Sequence, residues 1–213
     1  MQDIQEAARL NYVGASLIAN NDASGALAAF RCAIQIMEAT SRTEEATEML
    51  RSPQEKVCWA LAMPDMDGVD TFFVYNKPLV FEVKPQAVDL GFFNAVIIYN
   101  LALTLHLVAR RRGDNSKFRK AIHFYRLCFD LILADETASA KALLLAARNN
   151  STHALLQLGE YEKFRQDLKS LEKDAERLVA RDQACTTFFD AHHLQEVFLN
   201  ITLAQEPIAA ATA

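Results

Sequence analysis

From Leu90 to Ala109 the chain runs for twenty residues without an Asp, Glu, Lys or Arg, and Arg110, Arg111 and Arg112 follow at once. A stretch this apolar has two homes. It can span a bilayer, which its length and basic flank would suit, or it can be a helix covered by protein on every side. Asn94, Asn100, Thr104 and His106 interrupt it with polar groups that would need partners in lipid. The expectation is therefore a buried helix, with no membrane as partner.

A helix covered all round needs other helices to cover it, and the composition supplies them. The chain has only six glycines and five prolines, while Ala and Leu make up more than a quarter of it. This excludes collagen-like, disordered and turn-rich β-sandwich sequences and predicts a mainly all-α fold. One domain is expected over residues 1–206, with 207–213 (PIAAATA) a disordered tail because it carries no periodicity. The net charge of -5 argues against nucleic acid as a partner. Cys32, Cys58, Cys128 and Cys185 form no CxxC pair, so neither a zinc site nor a disulfide framework is indicated. A reducing, cytoplasmic setting fits, and the early acids of MQDIQEAARL do not suit a signal peptide.

Periodicity places the helices. Ile4, Ala7, Ala8, Tyr12, Ala15 and Ile18 share a face over residues 4–19. Asn20, Asn21 and Asp22 form a polar turn, and Asp22 can cap a second helix from Ala23 to Ala39, giving a first pair over about 4–40. Residues 86–134 read as a second pair, joined by a polar loop from Gly113 to Ser116, and 136–180 as a third, joined by Leu158, Gly159 and Glu160. A further helical stretch is expected after Thr43, ending before Pro53. Within an insertion at about 52–85, TFFVY and PLVFEV flank Asn76 and Lys77, which predicts a small β-hairpin. Val197 to Leu203 alternates with period two, so it is expected to add a strand to that hairpin, with helix as the alternative.

The pairs share more than length. Gly14, Leu17, Ala26, Phe30 and Ala33 fall at mutual offsets of 3, 9, 4 and 3. Ala121, Tyr125 and Cys128 repeat the 4 and 3 spacing after Leu105, across a connection seven residues longer. Leu155, Phe164, Leu168 and Leu171 repeat it again beside the turn LGEYEK. This spacing resembles the tetratricopeptide repeat, a helix–turn–helix unit of about 34 residues. Three units result, over roughly 7–40, 94–134 and 144–178. They are degenerate: no unit has the closing proline, and the tryptophan position holds Leu10, Ile98 or Arg148. The resemblance implies an α–α superhelix in which small residues let paired helices approach while Leu17 and Phe30 fill the space between. An ordinary helical bundle is the alternative.

The resemblance also implies a function. Such proteins commonly bind peptides along the face made by the first helix of each unit. Carried across, that face presents Asn11, Ala15 and Ile18, then Tyr99, Asn100, Leu103 and His106, then Asn149, Asn150, His153 and Leu156. Side-chain amides there can grip a peptide backbone, with Tyr99 and Leu103 as apolar anchors. The other reading is that these asparagines bond neighbouring helices. A cationic clamp for a terminal carboxylate is not expected, because the matching positions hold Asn11, Ala15, Ala146 and Asn150.

Signals for catalysis or metal binding are thin, and no cofactor is expected. His192 and His193 are adjacent and point apart, and Cys185 is too far from them to pair. His106 and His153 could approach across the groove but lack an evident third ligand. Asp65, Asp67 and Asp70 recur like a calcium loop, yet Gly68 comes early and Asn76 stands where Glu is needed. The basic cluster from Arg110 to Lys120 suits capping of a helix C-terminus or docking of an acidic partner. The expected function is a protein–protein interaction module, an adaptor or assembly scaffold binding a protein or peptide partner, and not an enzyme. The alternatives are a self-associating subunit pairing through a hairpin edge at Phe72 to Val83, hence a homo-oligomer, and an enzyme with an unadvertised site.

Overall fold

The computed structural model describes residues 2–41, 75–81, 90–135, 137–181, 197 and 201. Among these residues there are six helices and no strand: α1 (Gln2–Ala19), α2 (Ala23–Thr40), α3 (Leu90–Arg112), α4 (Asn115–Ile132), α5 (Ala138–Gln157) and α6 (Tyr161–Arg181). The fold is all-α, in three antiparallel pairs. Each helix packs on the next in sequence, and α3 also touches α1 and α5. The first helices of the pairs thus form an inner layer, α1–α3–α5, and the second helices an outer one.

The three turns inside the pairs are built alike. Asn21 (φ 62°), Gly113 (φ 64°) and Gly159 (φ 68°) take the left-handed conformation that ends a helix. In each case the next residue bonds back to the carbonyl five before it: Asp22 to Leu17, Asp114 to Ala109, and Glu160 to Leu155. Asp22 and Asp114 then cap the following helix, accepting from Gly25 N–H and from Ser116 and Lys117 N–H. The second connection is therefore no longer than the others; Gly113 and Asp114 suffice, and α4 begins at Asn115. By this register Ala109, Phe118, Ile122 and Tyr125 correspond to Leu17, Ala26, Phe30 and Ala33, so the expected alignment through Leu105 and Ala121 slid by one turn in each helix. Shifts of four and three residues keep the same helix face, which is why spacing alone did not reveal them.

Packing in the first pair follows the size pattern. Ala26, Phe30 and Ala33 are fully buried. A Cβ built on Gly14 would lie 2.6 Å from the Phe30 ring, so glycine there is a condition of the close approach of α1 and α2. Helix α3 is apolar all round. It passes length and composition criteria for a membrane span, with a mean hydropathy of 1.7, yet 94% of that window is buried inside the protein. Its cover comes from α1, α2, α4 and α5.

Two expectations about strands need correction. The β-hairpin does not form in its described part: Tyr75–Phe81 is an irregular run with a bend at Lys77, docked on the inner layer. Nor does the self-pairing edge at Phe72 to Val83 have support there, since Pro78 and Val80 are buried. Val197 and Ile201 are helical and buried, which fits their i, i+4 spacing and not the strand drawn from period two. The rest of the insertion, with its acidic loop Asp65 to Asp70, lies outside the described residues. So do the stretch from Thr43 to Pro53, the residues Cys185, His192 and His193, and the tail 207–213.

Candidate functional site

Nine buried polar residues sit in the inner layer: Asn11 on α1; Asn100, Thr104 and His106 on α3; and Asn149, Asn150, Ser151, Thr152 and His153 on α5. Polar groups taken from water must find partners. Here the main partner is the chain's own backbone. Tyr75–Phe81 crosses the inner layer, resting near α5 and α3 at Tyr75 and near α3 and α1 at Leu79.

Asn100 makes the central contact. Its Oδ1 accepts the Leu79 N–H at 2.8 Å, and its Nδ2 donates to the Leu79 carbonyl at 2.6 Å. One side-chain amide therefore satisfies both polar groups of one backbone residue, as a neighbouring strand would. The second hydrogen of Asn100 Nδ2 goes to Asn11 Oδ1 at 2.9 Å, and Asn11 Nδ2 returns to the Leu79 carbonyl at 3.0 Å. The two asparagines and Leu79 close a ring in which each placed donor has an acceptor.

The second anchor lies four residues earlier. The Tyr75 carbonyl accepts from Asn150 Nδ2 at 2.9 Å and from the Tyr99 hydroxyl at 3.0 Å. An extended chain covers at most about 13 Å in four residues, which is enough to step over α3 from one groove to the next at a helix spacing of about 8–10 Å. Between and beyond the anchors, Pro78 and Val80 are buried, Lys77 is exposed, and Phe81 stacks on Phe93 with ring centroids 4.3 Å apart.

Beneath the Tyr75 anchor the network continues into the core. Asn150 Nδ2 also reaches the hydroxyls of Tyr99 (3.1 Å) and Tyr125 (3.3 Å). Tyr125 lies 3.3 Å from His106 Nδ1, and His106 Nε2 lies 2.8 Å from His153 Nδ1. Gln157 closes the chain at 3.2 Å from His153 Nε2. One arrangement gives every link a donor and an acceptor: Gln157 N–H donates to His153, His153 Nδ1–H to His106, and His106 Nδ1–H to the Tyr125 hydroxyl. Burial first, and then His153 and Arg110, hold the His106 pKa well below the ordinary histidine value. Burial likewise raises the hydroxyl pKa values of Tyr99 and Tyr125 and the thiol pKa of Cys128. All four groups stay uncharged at neutral pH. The region is a hydrogen-bonding lattice in which Tyr99, Tyr125 and His106 carry no charge, suited to holding a backbone.

No family model, curated protein or solved structure matches this chain.

All eight residues read from the sequence as the binding face, namely Asn11, Tyr99, Asn100, Leu103, His106, Asn149, Asn150 and His153, are buried. Four of them, Asn11, Tyr99, Asn100 and Asn150, touch the Tyr75–Phe81 backbone. His106 and His153 do meet, but under the groove. Leu103 belongs to the hydrophobic core, and Asn149 reaches Asn150 at 3.4 Å. Measured from the turns, Asn100 and Asn150 are offset by one helical turn and do not hold the same place, which lets each meet a different carbonyl. Sequence reasoning missed Tyr125 and Gln157, and above all the occupant. The available signal was a β-prone run with no reliable strand partner in a helical chain whose groove offered unpaired amides. Among the described residues no group of three or more His, Cys, Asp or Glu is placed to hold a metal.

Proposed function

We propose that this chain is a protein–protein interaction module of tetratricopeptide-like helix pairs, an adaptor or assembly scaffold that binds an extended peptide segment on the face formed by α1, α3 and α5. The observation that carries this reading is the two-point grip of Asn100 on the N–H and C=O of Leu79. A face that only had to bond helix to helix would turn its amides to side chains or helix ends. This one presents them to the main chain of a segment lying across the helices. Main-chain contacts of this kind supply affinity while side-chain pockets supply selectivity. The lattice behind Asn150 fits the same role, since the uncharged hydroxyls of Tyr99 and Tyr125 orient that amide.

The test is a titration of a fluorescent peptide spanning residues 73–83 into the full chain and into a Val80→Asp chain, followed by anisotropy. Binding that Asn100→Ala weakens at least tenfold supports the reading. Absence of binding by both folded chains at about millimolar peptide, the range of effective concentration that a short tether provides, removes it.

A further inference from the structure

The face just described is already filled, and what fills it is peptide in kind. Resting on the reading of that face as a peptide groove, we infer that Tyr75–Phe81 is a tethered occupant that keeps the groove closed, and that the partner is an extended, apolar, proline-containing segment of another protein that displaces it.

The character of the partner follows from what the groove touches. Hydrogen bonds reach the occupant at the carbonyl of Tyr75 and at the N–H and carbonyl of Leu79. They read backbone and not side chain, so a displacing segment needs a free N–H at the position that meets Asn100 and a carbonyl four residues before it. Proline belongs one residue ahead of that N–H. Pro78 is buried there, and its ring forces the preceding residue away from helical geometry, which prepares an extended segment in advance. The positions after it are apolar, since Val80 is buried and Phe81 stacks on Phe93. Among the described residues the side chains that bond the backbone at the two anchors are Asn11, Tyr99, Asn100 and Asn150, all uncharged. An acidic or phosphorylated peptide would therefore find no counter-charge at the anchors. Lys77 faces solvent, so the matching position is open to any residue.

The occupant is held in a way that permits exchange. Hydrogen bonds hold it at Tyr75 and Leu79, while among the described residues Asn76, Lys77, Pro78 and Val80 make none. Among the described residues no strand pairs with it to add a ladder. Being part of the same chain adds to its hold, since a tethered segment is present at a local concentration of roughly millimolar. A partner must compete with that, and its apparent affinity falls by the fraction of time the groove stands open.

The titration above separates this inference from the reading beneath it. The tethered-occupant inference predicts that the Val80→Asp chain, whose own segment is expelled by a buried charge, binds the 73–83 peptide at least tenfold more tightly than the unaltered chain. A peptide carrying N-methyl leucine at the Leu79 position should lose at least tenfold of that affinity. Equal binding by the two chains overturns the inference and leaves the groove reading standing, whereas binding by neither overturns the groove reading itself. Should Val80→Asp fail to fold, the unaltered chain answers the question through hydrogen exchange at the Leu79 amide. Saturating peptide should lower its protection at least tenfold; bound peptide with unchanged protection overturns the inference.

Discussion

All the asparagines, histidines, serines and threonines that are buried among the described residues lie on α1, α3 or α5. The helices paired with them, α2, α4 and α6, bury aliphatic and aromatic side chains, and Tyr125 and Cys128 are as near to polarity as they come. The two layers are of similar length and meet through the same turns, yet they solve different problems. The outer layer is held by shape, as in Phe30 seated against Gly14. The inner layer shares that apolar core and adds matched donors and acceptors, several of them contributed by Tyr75–Phe81. The difference teaches where function can reside in such a fold. Shape complementarity cannot be exchanged for a foreign segment without repacking, whereas a lattice of amides can accept any backbone that offers the same groups.

The comparison can be broken at its ends. Phe30→Ala should cause the largest loss, roughly 4 kcal/mol by urea denaturation, because it opens a cavity between α1 and α2, and the Leu79 amide should stay protected. A loss below about 1 kcal/mol would mean that shape does not hold the outer layer. Asn100→Ala should remove less, roughly 3 kcal/mol, by stranding the N–H of Leu79 and one bond of Asn11. It should instead raise hydrogen exchange at Leu79 sharply. If both substitutions perturb Leu79 alike, the two layers are one cooperative unit and the distinction fails.

A gentler probe is acidity. The His106 pKa is lowered in the folded protein, while an unfolded histidine titrates near 6.5. The unfolded state therefore binds more protons below that value, so stability is complete above about pH 6.5 and declines as pH falls beneath it. The slope for this one group is at most about 1.4 kcal/mol per pH unit. Urea midpoints measured at pH 7.5, 6 and 5 should fall in that order, and His106→Gln should flatten the trend. An equal trend in both chains would show that the inner lattice is not the acid-sensitive part. The smallest effect belongs to neither layer. Thr137 accepts from Ala140 N–H at the start of α5; Thr137→Ala should cost about 1 kcal/mol and leave Leu79 exchange unchanged.

Most of the helical framework was legible in the sequence because its rules are local. Apolar spacing, the Asn21–Asp22 turn and the scarcity of glycine and proline placed the three pairs close to where they stand. The second pair slipped in register because a helix presents the same face after three or four residues, and only the turn breaks that degeneracy. The groove asparagines were legible as amides on one face. Their occupant was not, because the β-prone run at Tyr75–Phe81 was matched to the usual partner of an extended backbone, a second strand. Side chains from helices far away in sequence met that need instead. Val197 and Ile201 failed for a related reason, since positions four apart satisfy a period of two as well as a helical face.

Among the described residues helix α3 packs on four of the other five helices and links the first pair to the third, with Tyr75–Phe81 bonded to both. In an extended helical array each unit leans only on its neighbours, so the ends can melt while the middle survives. Here the hub is shared by both ends. Unfolding of the whole should follow a single steep transition, and a fragment that lacks α3 loses the main surface on which its remaining pairs meet.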